Sequence, residues 1–107
     1  MISNLINNPE SKTLEFKRDL SSPRSVLRTL VAFANSAGGH LILGVADDRK
    51  VIGVENPLDE EERLSNLIAD SISPRLVPSI EMITVEGKTL LVVEVFLSPS
   101  FARISKK

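Results

Sequence analysis

The chain has 107 residues, with 13 Lys and Arg against 14 Asp and Glu, no Cys, Trp or Tyr, and 42% apolar residues. That length suits about one domain, and the absence of cysteine excludes disulfides, thiolate metal sites and a Cys nucleophile, leaving a reducing cytoplasmic setting as the default. No apolar run approaches the roughly 20 residues of a membrane span, and Met1-Ile2-Ser3-Asn4 lacks the regions of a signal peptide, so no membrane partner is expected.

Residues 1–9 carry no periodic signal and are expected to be a flexible N-terminus. Thr13-Leu14-Glu15-Phe16-Lys17 alternates, which predicts a short strand with Leu14 and Phe16 toward a core and Glu15 and Lys17 on the non-core face. Ser22 then offers a hydroxyl N-cap before Pro23, and Val26, Leu27, Leu30, Val31, Phe33 and Ala34 follow at helical spacing, predicting a helix over 23–36. Gly38-Gly39 ends it. The run 40–46, His-Leu-Ile-Leu-Gly-Val-Ala, reads as a central strand covered on both sides, with Gly44 leaving room for close backbone approach. Asp47-Asp48-Arg49-Lys50 is turn-like, and 51–54 reads as the returning strand of a hairpin.

Pro57 starts a second helix whose first turns carry Asp59, Glu60, Glu61 and Glu62, read as a solvated, dipole-matched start. Leu64, Leu67, Ile68 and Ile72 form its apolar face, and Ser73-Pro74 stops it. Residues 77–85 and 88–96 flank Glu86-Gly87 as a second hairpin, and 98–107 read as a loose tail. The expected fold is therefore α/β (α+β), a mixed sheet of about five strands with two helices in the order β-α-β-β-α-β-β, over one domain at 10–97.

Charge is unevenly spread. Residues 1–28 hold five bases against three acids, residues 55–70 hold one base against six acids, and Arg103, Lys106 and Lys107 crowd the end. Near-neutrality thus masks mildly basic segments, in which Lys12, Lys17, Arg18, Arg24 and Arg28 are the candidates for pairing with phosphates.

Glu10, Glu15 and Asp47-Asp48 form a second constellation. If the strands bearing them are neighbours, their carboxylates could converge, and hard cations such as Mg²⁺ or Mn²⁺ take oxygen ligands. Equally, Glu15 and Lys17 could form a surface ion pair and Asp47-Asp48 could be turn residues. Asn35 to His40 is no Walker or dinucleotide loop, because its glycines end a helix and precede a strand. His40, the single histidine, has no nucleophile near it in sequence and reads as structural.

Three stretches occur together in order: Glu10-Ser11-Lys12-Thr13-Leu14-Glu15-Phe16-Lys17, Phe33-Ala34-Asn35-Ser36-Ala37-Gly38-Gly39, and Leu41-Ile42-Leu43-Gly44-Val45-Ala46-Asp47-Asp48. As a set they resemble the Schlafen-type AlbA-like domain, found in bacterial and archaeal transcriptional regulators, in helicase-related proteins and in animal Schlafen proteins. The resemblance implies an Alba-related fold and contact with nucleic acid, DNA ahead of RNA. In nuclease-active Schlafen proteins two glutamates and an aspartate form a metal-dependent ribonuclease site, and the matching positions here are Glu10, Glu15 and Asp47. Arg49 stands where the family often has glycine, and the chain stops where members usually continue, as an excised or truncated domain would.

The expected function is a nucleic-acid-binding module of a regulator or helicase-related protein, contacting phosphates with little sequence readout and with no cofactor indicated. The alternatives are a metal-dependent endoribonuclease using Mg²⁺ or Mn²⁺ at Glu10, Glu15 and Asp47, and an oligomerisation or ligand-sensing module that forms a homo-oligomer through a sheet edge.

Overall fold

The computed structural model describes residues 13–105. Strand β1 (Leu14–Lys17) leads through a loop into helix α1 (Pro23–Ala34), then β2 (Gly39–Leu43), helix α2 (Pro57–Ser71), β3 (Ile72–Ser73), β4 (Ser79–Val85), β5 (Lys88–Val95) and β6 (Arg103–Ile104). Four strands form a mixed sheet in the order β1-β2-β5-β4. The β1–β2 pair is parallel and the other two pairs are antiparallel; β3 and β6 make a separate two-stranded sheet. The single five-stranded sheet expected from the sequence is thus four strands plus a small accessory pair.

Alternation along the strands divides the core in two. Leu41 and Leu43 of β2, beside Leu91, Val93 and Val95 of β5, meet Val26, Leu27, Leu30 and Phe33 of α1 and Leu64 and Ile68 of α2. On the opposite face Leu14, Phe16, Ile42, Leu90 and Val92 form a second cluster with Val45, flanked by Val51, Ile83 and Val85. Helix α1 forms because its apolar residues recur on one stripe and Pro23 supplies a preset φ at the first turn. Ser22 makes no side-chain cap, contrary to expectation; its carbonyl instead accepts the N–H of Val26 at 3.2 Å. The helix stops where Gly38 turns left-handed (φ +76) and donates its N–H to the Phe33 carbonyl at 2.8 Å.

Gly44 sits where β2 ends. Its φ is +109, a Cβ there would lie 2.6 Å from Leu90 Cδ2 and 3.2 Å from the Gly53 backbone, and its carbonyl accepts both the Ile52 and Gly53 N–H groups at 2.9 Å. The chain folds back on a glycine rather than through a ladder. The returning strand expected at 51–54 is accordingly reduced to a single bridge, Val45 to Val51. In the intervening turn Arg49 takes φ +70, and its guanidinium lies 4.7 Å from the Phe16 ring centroid.

The tail expected to be loose from residue 98 is docked as far as it is described. Asn35 donates its amide N–H to the Ala102 carbonyl (2.8 Å) and accepts the Ala102 N–H (2.7 Å), Ala102 is buried, and Arg103–Ile104 pair with Ile72–Ser73. One amide side chain supplies both partners that a neighbouring strand would supply. Residues 1–9 and 106–107 lie outside the described residues.

Gly44→Ala is expected to lose about 1–3 kcal/mol of stability in urea unfolding, from positive-φ strain and contact with Leu90. Gly87, in an open turn with φ +76, is expected to lose less than about 1 kcal/mol when replaced by Asn, which tolerates that region.

Candidate nucleic-acid interface

Three of the basic candidates, Arg18, Arg24 and Arg28, lie on α1 or the loop that feeds it. Arg24 and Arg28 are one turn apart, about 6 Å along the axis, and both project from the exposed side of α1, opposite its buried stripe. Neither forms an ion pair among the described residues. Arg18 is exposed in the β1–α1 loop at the same end of the helix. No acid occupies the first turn of α1, so the positive end of its dipole is not offset there.

Lys17 is placed differently from expectation. Its register partner is Leu43 and that of Glu15 is Leu41, both main-core residues, so Glu15 and Lys17 lie on the helix-covered face of the sheet. Lys17 Nζ donates to Ser25 Oγ of α1 at 2.8 Å and stands 4.0 Å from Glu15 Oε2. The alternation revealed two faces, but both are apolar-covered in this sheet, so it could not tell which one the helices occupy. Ser25, which holds the lysine, gave no signal in the sequence.

Of the candidate metal ligands, Glu15 is half-buried beside Lys17, and Asp47 is exposed in the turn after β2. Asp48 accepts the Lys50 N–H at 3.0 Å, as a turn residue does. Glu10 and Lys12 lie outside the described residues; among those described, no three His, Asp or Glu come together as a metal group. His40 faces Glu94, Nε2 to Oε2 3.8 Å.

Glu60 overturns the reading of 59–62 as wholly solvated. It is the buried member of that run. Its carboxylate accepts the Leu20 N–H at 3.1 Å and Arg63 Nη1 at 3.1 Å. Leaving the Leu20 donor unpaired would cost about 1–3 kcal/mol. Around this contact the β1–α1 loop, residues 52–56 and the start of α2 enclose an open groove of about 530 Å³, whose charged lining is Arg18 and Arg63 against Asp19, Glu55, Asp59 and Glu60. Acids outnumber bases in the groove four to two, and Arg18 stands in its lining.

Residues 10–106 match the Schlafen, AlbA_2 family, and the chain belongs to it. Its fold is shared with the N-terminal domain of a protein related to the ATP-dependent DNA helicase RecG from Nitrosomonas europaea, at TM-score 0.73 and 31% identity, over 88% of this chain and 71% of that one. A protein of Corynebacterium diphtheriae shares the fold at TM-score 0.66 with 16% identity, over 94% of this chain and 22% of that one. An uncharacterized ATP-binding protein of Ureaplasma parvum serovar 3 is 32% identical over 78 residues, 70% of this chain. The chain spans only 22% of that relative's length. No helix among the described residues is long and apolar enough to cross a membrane.

The Asp19 carboxyl beside Arg18 is held below its ordinary range, chiefly by hydrogen bonds from the Ser21 side chain and backbone N–H, with Arg18 and Arg63 assisting. A carboxyl lowered on folding contributes stability that is complete above its unfolded value, near pH 4, and lost as the pH falls through the folded value. The contribution is small because the group is only partly buried and solvent screens it. Titration by NMR is expected to show the Asp19 midpoint moving upward in Ser21→Ala, and an unmoved midpoint would contradict the assignment.

Proposed function

We propose that this domain binds nucleic acid through its phosphates, with Arg24 and Arg28 on the outer face of α1 and Arg18 in the loop that precedes it, as the nucleic-acid contact of a helicase-related or regulatory protein. The observation that carries the reading is the pair Arg24 and Arg28, exposed and free of ion pairs among the described residues on the outer face of α1. Family membership supports it, as does the likeness to a domain of a DNA-helicase-related protein, which also favours DNA over RNA. Lys17 is tied to Ser25 of α1 with Glu15 4.0 Å away, and Lys12 belongs to the same basic segment of the sequence.

With few charges engaged, binding is weak, salt-dependent and indifferent to sequence. Three phosphate contacts correspond to a slope of roughly −3 in log affinity against log salt. Fluorescence anisotropy at low salt is expected to show the double reversal Arg24→Glu with Arg28→Glu weakening binding at least about tenfold, since two phosphate contacts become repulsive. No binding of DNA or RNA by the unaltered domain at high micromolar concentration would end this reading.

A second reading, self-association, is favoured by β4. It is an edge strand of seven residues in unbroken register with β5, without proline and with Glu81 as its single charge. Such an edge is a template for another strand, and a second copy of the chain supplies one. Sedimentation is expected to show concentration-dependent dimer that Met82→Lys abolishes; a monomer at the highest attainable concentration contradicts it.

A further inference from the structure

Glu60 is the buried charged side chain among the described residues, at 9% exposure, and its contacts reach 40 residues back to the β1–α1 loop. That loop is anchored at two backbone points. Gly44 N–H donates to the carbonyls of Lys17 (2.9 Å) and Arg18 (3.1 Å), and Leu20 N–H donates to Glu60 Oε2 (3.1 Å). Leu20 itself is seated in the main core. The first anchor includes the carbonyl of Arg18 itself, and the second follows two residues later. The other carboxylate oxygen is held by Arg63, and the Glu60 backbone N–H donates to Asn56 at 2.9 Å, so the side chain that holds the loop is fixed at both ends.

We infer that Glu60 is a positioning residue for nucleic-acid contact, acting through Arg18 by fixing the backbone that follows it at Leu20. This rests on the binding reading above and names a residue that touches no phosphate. Two effects of Glu60 have opposite signs. As a negative charge near a polyanion site it opposes binding; as the acceptor for Leu20 it holds a phosphate-pairing guanidinium in place, which lowers the entropy lost when that guanidinium is ordered on binding. Positioning is assigned the larger effect because the carboxylate is screened by its own Arg63 contact, whereas nothing else described accepts the Leu20 N–H.

The test is a double-mutant cycle read by anisotropy on a labelled random-sequence DNA duplex. Arg18→Ala is expected to weaken binding about threefold, as expected for one exposed charge pair. Glu60→Ala is expected to weaken it by a similar factor, and the double variant to bind no more weakly than Arg18→Ala alone, because both changes act through one side chain. Tighter or unchanged binding by Glu60→Ala, or losses that multiply to about ninefold, overturns the inference. Glu60→Gln, which keeps the volume and an acceptor for Leu20 while losing the charge, is expected to bind at least as tightly as the unaltered domain with the Leu20 amide still protected from hydrogen exchange. If Glu60→Ala does not fold, this variant decides: weaker binding with Leu20 still protected, or an exposed Leu20 amide with undiminished binding, overturns the inference. Absence of binding by the unaltered domain would remove the binding reading and this inference together, whereas its binding with a failed cycle removes the inference alone.

Discussion

The pairing of β2 with β5 governs the rest of this fold. Along it Leu41, Leu43, Leu91 and Val93 are fully buried on one side of the sheet, and Ile42 and Leu90 on the other. Each such side chain contributes about 1.5–3 kcal/mol by leaving water, so the ladder's gross gain rivals the net stability of a whole domain. A strand pair apolar on both faces needs two covers. The helices supply one; on the other face Leu14, Phe16, Val45 and Val92 pack beside Ile42 and Leu90, with Val51 against them and Arg49 over the Phe16 ring. Because α1 spends its apolar stripe on that cover, its remaining face is free to carry Arg24 and Arg28 into solvent.

The two helices have opposite electrical characters. Helix α2 begins among Asp59, Glu60, Glu61 and Glu62, matched to the positive end of its own dipole, while α1 begins without an acid. A net charge of −1 therefore describes neither surface. What a polyanion meets depends on the side from which it approaches.

Much of this was readable from residue spacing. The apolar stripe and Pro23 mark α1, the continuous run from His40 marks a doubly covered strand, and Glu86-Gly87 marks the β4–β5 turn, where both residues adopt positive φ. Arg24 and Arg28 were legible as neighbours because helical geometry alone places residues four apart on one face. Three features were not. Glu60 looks like its solvated neighbours, since a charge run does not say which member turns inward. Asn35 looks like a helix stop, and its grip on Ala102 depends on a segment 67 residues away. The failure of 51–54 to form a strand follows from the path of the chain around Gly44 and Gly53, which neighbouring apolar residues do not reveal.

The grip of Asn35 on Ala102 also bears on how the molecule opens. Segment 98–104 is held by one amide side chain, a Ser98 N–H to the Ala34 carbonyl, a two-residue ladder, the burial of Ala102 and the packing of Ile104 against the main core. Those contacts are fewer than the ones that secure the central ladder, so the segment is expected to open at lower free energy than the domain unfolds. Its release bares the end of α1 and the core surface under Ala102 while the sheet and the outer face of α1 stay intact.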